Sequence, residues 1–199
     1  YKRQYLYTAE VALVSGEETV DAVSTRFGCR TFEIDPERGF ILNGERYPLH
    51  GVSRHQDRPH IGNALTHKEH KEDIELILEM GANTIRLAHY QHDQYFYDLC
   101  DELGLYVIDC ANINAPEKRD DRKVGGTPSN DPSLADEYLE RVKAMYYRSR
   151  NHSCVIAFAL GGESGNGYNM YKAYEWLKSV EKSRPVICAD ADGEWNSDL

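Results

Sequence analysis

Glu163 is the residue in this sequence best placed to move a proton. It closes the run CVIAFALGGES, an apolar stretch followed by two glycines, so backbone can approach closely around it. A carboxyl at the end of a hydrophobic strand is expected to be partly desolvated. That raises its pKa and suits it to donate a proton near neutral pH. Capping a helix is the plainer role for such a residue. Other chemistry-bearing side chains close other apolar runs: Arg54, His55 and Asp57 in GVSRHQD, Arg86, His89 and Tyr90 in RLAHY, Asp109, Cys110 and Asn112 in IDCAN, Asp190 and Asp192 in CADAD. Any one of them alone is a polar residue meeting solvent in a loop. Together, five consecutive strand ends presenting Arg, His, Asp or Glu compose a polar pocket for a hydroxyl-rich ligand, with a carboxylate for proton transfer.

Metal and nucleotide chemistry find less support. His50, His55, His60, His67 and His70 lie close together, but no HExxH helix or spaced carboxylate accompanies them. His67 and His70 are expected on the solvated first turn of a helix. No Gly-x-Gly-x-x-Gly follows the first strand, and GGESGNG lacks the Lys of a phosphate loop. The five cysteines are odd in number, widely spaced and without a CxxC pair, against both a disulfide framework and a thiolate zinc site.

The elements that must position these residues can be read from periodicity. YLYTAEVALV and ETVDAVSTRFGCRTFEID alternate apolar and polar residues around an SGEE turn, and ILNGERYPLH carries an Asn-Gly hairpin signal. From Thr66 the pattern changes. A Thr-x-x-Glu capping box opens a helix that Gly81 ends. Phe96, Leu99, Cys100 and Leu103 mark a second helix closed by Gly104. A third follows Pro132, with Ala135, Tyr138, Leu139 and Val142 on one face, and Ala173, Trp176, Leu177 and Val180 mark a fourth. Between them lie the runs NTIRLAHY, LYVIDCANI, CVIAFAL and PVICAD. Continuous apolar strands alternating with amphipathic helices mean a parallel sheet, here about strands 1 to 5 of a (β/α)8 barrel, whose chemistry sits at the C-terminal strand ends.

The chain has 199 residues and a formal net charge of −10, with 41% hydrophobic residues. This is a globular composition. The negative balance argues against nucleic acid or an anionic membrane surface as partner. No apolar run is long enough to span a bilayer, and YKRQYLYTAE lacks the apolar core of a signal peptide. The compartment stays open between cytoplasm and periplasm.

FGCRTFEID, GFILNGERYPLHGVSRHQD, NTIRLAHY, DLCDELGLYVIDCANI and RNHSCVIAFALGGESGNG, in that order, resemble glycoside hydrolase family 2, the family of β-galactosidase and β-glucuronidase. The resemblance runs from about Tyr5 to the C-terminus. It implies that residues 1–36 are the end of an immunoglobulin-like β-sandwich and residues 37–199 the N-terminal half of a TIM barrel. It implies retaining hydrolysis of a β-galactoside or related glycoside, with Glu163 as general acid/base and no cofactor. Substrate contacts fall to His55, Arg86, His89 and Asp109, and to position 162, where Gly162 stands in place of the family's Asn. Cys110 and Asn114 depart from the Glu residues usual after strand three. With Pro116 in place of a His, the family's Mg²⁺ ligand pair is missing. The family's nucleophile lies at the end of strand seven, so the chain is expected to be a truncated fragment with little hydrolase activity alone. The first and fifth strands would be open edges, able to pair with another copy in a homo-oligomer. Two alternatives stand beside this reading: a non-catalytic glycan-binding module, favoured by Gly162 and Cys110, and a metal-dependent hydrolase using the His-rich rim.

Overall fold

The computed structural model describes residues 5–199. Ten strands and four α-helices follow one another in three sheets. Strands β1 (Leu6–Ser15) and β2 (Glu18–Gly28) form an antiparallel hairpin turning at Gly16 and Glu17. Its apolar side chains Val11, Leu13, Val14, Val20 and Val23 are exposed. Arg26 of β2 pairs with Glu102.

The long β run of FGCRTFEID breaks after Gly28. Arg30 leaves the ladder, donates to the Val155 carbonyl and lies 5.0 Å over the Phe32 ring. Chain resumes as β3 (Phe32–Asp35), which pairs with β4 (Gly39–Leu42) and through it with β5 (Glu45–Arg46). The Asn-Gly turn joins β4 to β5 with Asn43 and Gly44 both at positive φ, as a tight hairpin requires. Phe32 and Phe40 stack at 5.4 Å, and Phe40 and Tyr47 meet Tyr106 of the larger sheet.

That larger sheet is parallel: β6 (Gly51–Arg54), β7 (Thr84–Leu87), β8 (Tyr106–Cys110), β9 (Val155–Ala159) and β10 (Val186–Ile187), neighbours in chain order. Helices α1 (His67–Glu79), α2 (Gln94–Leu103), α3 (Ala135–Ser149) and α4 (Tyr168–Val180) make the crossovers. The arrangement is that of part of a (β/α)8 barrel, with β6 and β10 at the sheet's two ends. The core lies between sheet and helices, around Ile74, Ile85, Leu87, Phe96, Val107, Val142, Phe158 and Leu177. The capping box at Thr66 and Glu69 starts α1, and Gly104 ends α2 in the left-handed conformation.

Two local readings need correction. His70 is fully buried rather than solvated: its Nδ1 accepts from Arg54 Nη2 at 3.3 Å and its ring packs near Phe96. Position i+4 from the Thr66 cap turns it toward the sheet, where Arg54 needs acceptors. The fifth strand is two residues long, because the chain folds back on it. Asp198 Oδ2 accepts from Val186 N at 2.7 Å, and Cys188 N donates to Ser197 Oγ at 3.1 Å.

Candidate active site

Alternation along β6, β7 and β9 decides which strand-end side chains share a face. Ile85 and Leu87 of β7 face the helices, so Arg86 between them faces inward. His89 follows just past the strand, after a cis Ala88–His89 peptide. The His55 and His89 rings meet edge to face with centroids 5.7 Å apart. Gly162 lies against the same imidazole: a Cβ there would come within 2.0 Å of His89 Nδ1 and 2.3 Å of Cε1. His89 therefore fills the space that a side chain at position 162 would use. Burial, with the Arg86 and His55 charges, pushes the His89 pKa below its ordinary 6.5, and the Glu163 charge opposes them. This shift favours the neutral imidazole near neutral pH.

Glu163 sits at the end of this cluster in a tightly determined backbone. Its φ is +35°, an unusual conformation for a residue with a side chain, and the surroundings hold it there. On the N-terminal side Gly162 N donates to the Ile113 carbonyl at 3.0 Å. On the C-terminal side Ser164 N and Gly165 N both donate to Asp190 Oδ2, at 2.7 and 2.8 Å, and Arg119 Nε pairs with Asp190 Oδ1 at 2.8 Å. Thr127 and Ser129 hydroxyls both donate to the Ser164 carbonyl, at 2.8 and 2.7 Å. The Glu163 side chain itself is exposed, so the expected desolvation does not hold in this chain. The apolar strand buries the backbone leading to Glu163, and the two glycines that follow it place the carboxyl beyond the packed layer.

Of the six residues predicted for the site, His55, Arg86, His89, Gly162 and Glu163 come together. Asp109 does not. It shares the helix-facing side of β8 with Val107, is fully buried, and accepts from Tyr97 Oη at 2.8 Å and Cys110 N at 2.9 Å. Burial pushes its carboxyl up to about 6, against the pull of those hydrogen bonds. It shapes the layer behind the rim and is out of reach of a ligand in front of it. Arg54 is likewise behind the rim. It pairs with Asp73 at 2.5 Å, donates to His92 Nδ1 at 2.8 Å, and lies 4.3 Å over the Phe96 ring.

The five histidines of the metal reading are not brought together. His55 faces His89, His67 stacks on Tyr95 at 3.8 Å, and His70 is in the core. Among the described residues, one group has ligand atoms close enough for an ion: Asp101, His152 and Cys154. There Asp101 already accepts from His152 Nδ1 at 2.6 Å, from Ser153 Oγ at 2.9 Å and from Cys154 N at 2.6 Å. Burial also holds the Cys154 thiol protonated. This is a closed hydrogen-bond network. No helix among the described residues is long and apolar enough to cross a membrane.

Sequence reasoning missed Ser164, Thr127 and Ser129, the clamp on the Glu163 loop. The local signal was Thr127 before Pro128, whose hydroxyl accepts from Ser129 N as a helix cap. Its second bond, to a carbonyl 37 residues away, had no sequence cue.

Residues 33–198 match the model of the TIM barrel domain of glycosyl hydrolases family 2. The chain belongs to this family. It is 37% identical over 184 residues to a β-galactosidase of Vibrio cholerae and 38% identical over 188 residues to one of Lactococcus lactis. Each match covers 92% of the chain and 17% or 18% of the relative, so the chain spans under a fifth of these enzymes' length. Among solved structures it is similar to a putative β-galactosidase from Bacteroides fragilis, with TM-score 0.80, 27% identity, and coverage of 98% of this chain and 29% of that one. It is also similar to a β-glucuronidase from Ruminococcus gnavus in complex with D-glucuronic acid, with TM-score 0.77, 25% identity, and coverage of 92% and 31%.

Proposed function

We propose that this chain carries the acid/base half of a retaining β-galactosidase-type active site. The observation that carries the reading is the grouping of His55, Arg86, His89 and Glu163 at the C-terminal side of strands β6, β7 and β9, with Glu163 held by backbone contacts on both sides. An exposed carboxyl on a fixed backbone can reach a glycosidic oxygen. The His89 imidazole, held toward its neutral form, offers hydrogen bonds to sugar hydroxyls without adding charge. Glu163 would protonate the leaving oxygen, a second carboxylate outside these 199 residues would attack the anomeric carbon, and Glu163 would then activate water. Asp109 acts indirectly, through the packing of β8. Residues 1–36 are proposed as the end of a preceding sandwich domain, with β3 already pairing with β4 of the barrel side. The named activity of the relatives makes a β-galactoside the first substrate to test.

The test is Glu163→Gln in the protein that joins this chain to a nucleophile. Hydrolysis of glycosides with poor leaving groups should fall by roughly 10²–10⁴-fold, while release of an activated aryl group falls much less, because that group needs no proton. Equal hydrolysis of both substrate types by variant and parent refutes the assignment.

A further inference from the structure

We infer a second carbohydrate contact on the rim: an aromatic platform at Trp195 that binds a neutral sugar ring beside the loop carrying Glu163. This rests on the reading of Glu163 as proton donor. Trp195 is 56% exposed although its indole stacks on Tyr171, with centroids 5.3 Å apart and planes at 28°, and meets Tyr174 edge-on at 5.6 Å. Tyr171 stacks on one face of the indole. A large flat apolar surface that stays open has to be held there. Three features hold it. Asp192 and Gly193 are both at positive φ and make the turn that brings Trp195 back over α4. Tyr171 is tied by its hydroxyl to Glu194, and Tyr174 donates to Asp198 at 2.6 Å. Asn196, fully buried, exchanges amide hydrogen bonds with Asn166 at 2.8 and 3.1 Å.

That last pair connects the platform to the proton donor. Asn166 is three residues beyond Glu163, in the loop clamped by Asp190, and Asn196 is next to Trp195. A rim cavity of about 240 Å³ lies beside this loop, lined by Arg119, Arg122, Gly165, Asp190 and Asp192. Arg122 in turn pairs with Glu194 at 3.3 Å. The cavity therefore borders the Glu163 loop at Gly165, and its Arg122 reaches Glu194, the residue before Trp195. The apolar face of a pyranose ring packs on such an indole, and flanking carboxylate and guanidinium groups satisfy its hydroxyls. Charge selects the class of sugar. Arg119 is paired with Asp190, and Arg122 with Asp192 and Glu194, leaving no unpaired cation in the cavity for a uronate and a surplus of carboxylate that repels one. The occupant is a neutral hexose unit, which makes the substrate an oligosaccharide.

The chain has two tryptophans, Trp176 and Trp195, so its own fluorescence reads the event. Titration with β-linked galacto-oligosaccharides of one to five units should give a saturable emission change for the longer members and none for galactose. Trp195→Leu should weaken binding by about tenfold or more, while Trp195→Tyr, which keeps a flat ring, stays within a few-fold of the parent. Trp176→Phe should keep the response. The platform is refuted by absence of saturable binding, by equal binding in the parent and Trp195→Leu, or by Trp195→Leu altering self-association instead of sugar binding. Binding here does not need turnover. Platform binding that survives together with unchanged hydrolysis in Glu163→Gln would overturn the proton-donor reading and leave the sugar contact standing.

Discussion

Asp109 gives a sharp quantitative test of which side of the sheet it faces. The carboxyl is fully buried with two donors on Oδ1, and Oδ2 has no hydrogen-bond partner. Its pKa of about 6, against an ordinary 3.8, means that the folded state holds the proton more tightly than the unfolded chain does. Between those two pH values folding takes up protons, so stability from this group is present at low pH and is lost as pH rises through the window. About two pKa units correspond to about 3 kcal/mol. Asp109→Asn keeps an oxygen for Tyr97 and Cys110 and removes the ionisation. Urea denaturation of parent and variant at pH 4 and pH 7 measures the difference. The variant should gain on the parent by about 3 kcal/mol between the two conditions, whatever its absolute offset from burying an amide. A stability difference that stays constant from pH 4 to pH 7 refutes the buried assignment. It would return Asp109 to the solvent-facing rim, where a ligand could reach it.

Three further outcomes follow from the same geometry. Gly162→Ala drives a methyl into the His89 ring and should cost about 1–3 kcal/mol by overpacking, or displace His89 and weaken sugar binding; a variant that matches the parent in both melting and binding would show that the two residues do not touch. His92 is buried and accepts from Arg54, which holds its pKa near 2. Because the unfolded histidine binds its proton below about pH 6.5, the folded state should lose about 1.4 kcal/mol per pH unit below that point. His92→Gln should remove that slope in denaturant titrations from pH 7 to pH 5, and an unchanged slope contradicts it. Asp101 has the opposite shift to Asp109. Burial alone would raise it, but His152 and the Cys154 amide bring it below its ordinary value. Its contribution should be present above about pH 4 and disappear as pH falls through the lowered pKa. Asp101→Asn should therefore be least stable relative to the parent at pH 7, and equal stability there would mean that the His152 contact contributes nothing.

Local sequence signals determined a large part of this protein. The capping box at Thr66, Gly104 after α2, the Asn-Gly hairpin and the alternation of apolar strands with amphipathic helices are written within a few residues each. All four appear in the fold, because caps, turns and periodicity act over one or two turns of chain. The rim positions of His55, Arg86, His89 and Glu163 were legible for the same reason: each lies at or just beyond the end of a strand that could be located. Only the tertiary structure decided which face each side chain takes. Strands buried on both sides carry no polar alternation to mark inside from outside, so Asp109 and Arg54 read as rim residues and lie behind it. His70 was lost to the same cause, a buried acceptor for an arginine on another element. The Ser164 clamp, the Asn166–Asn196 pair and the His89 ring over Gly162 join positions 30 to 73 residues apart. Contacts at that separation leave no periodic trace, and they fix how Glu163 and Trp195 sit on the same rim.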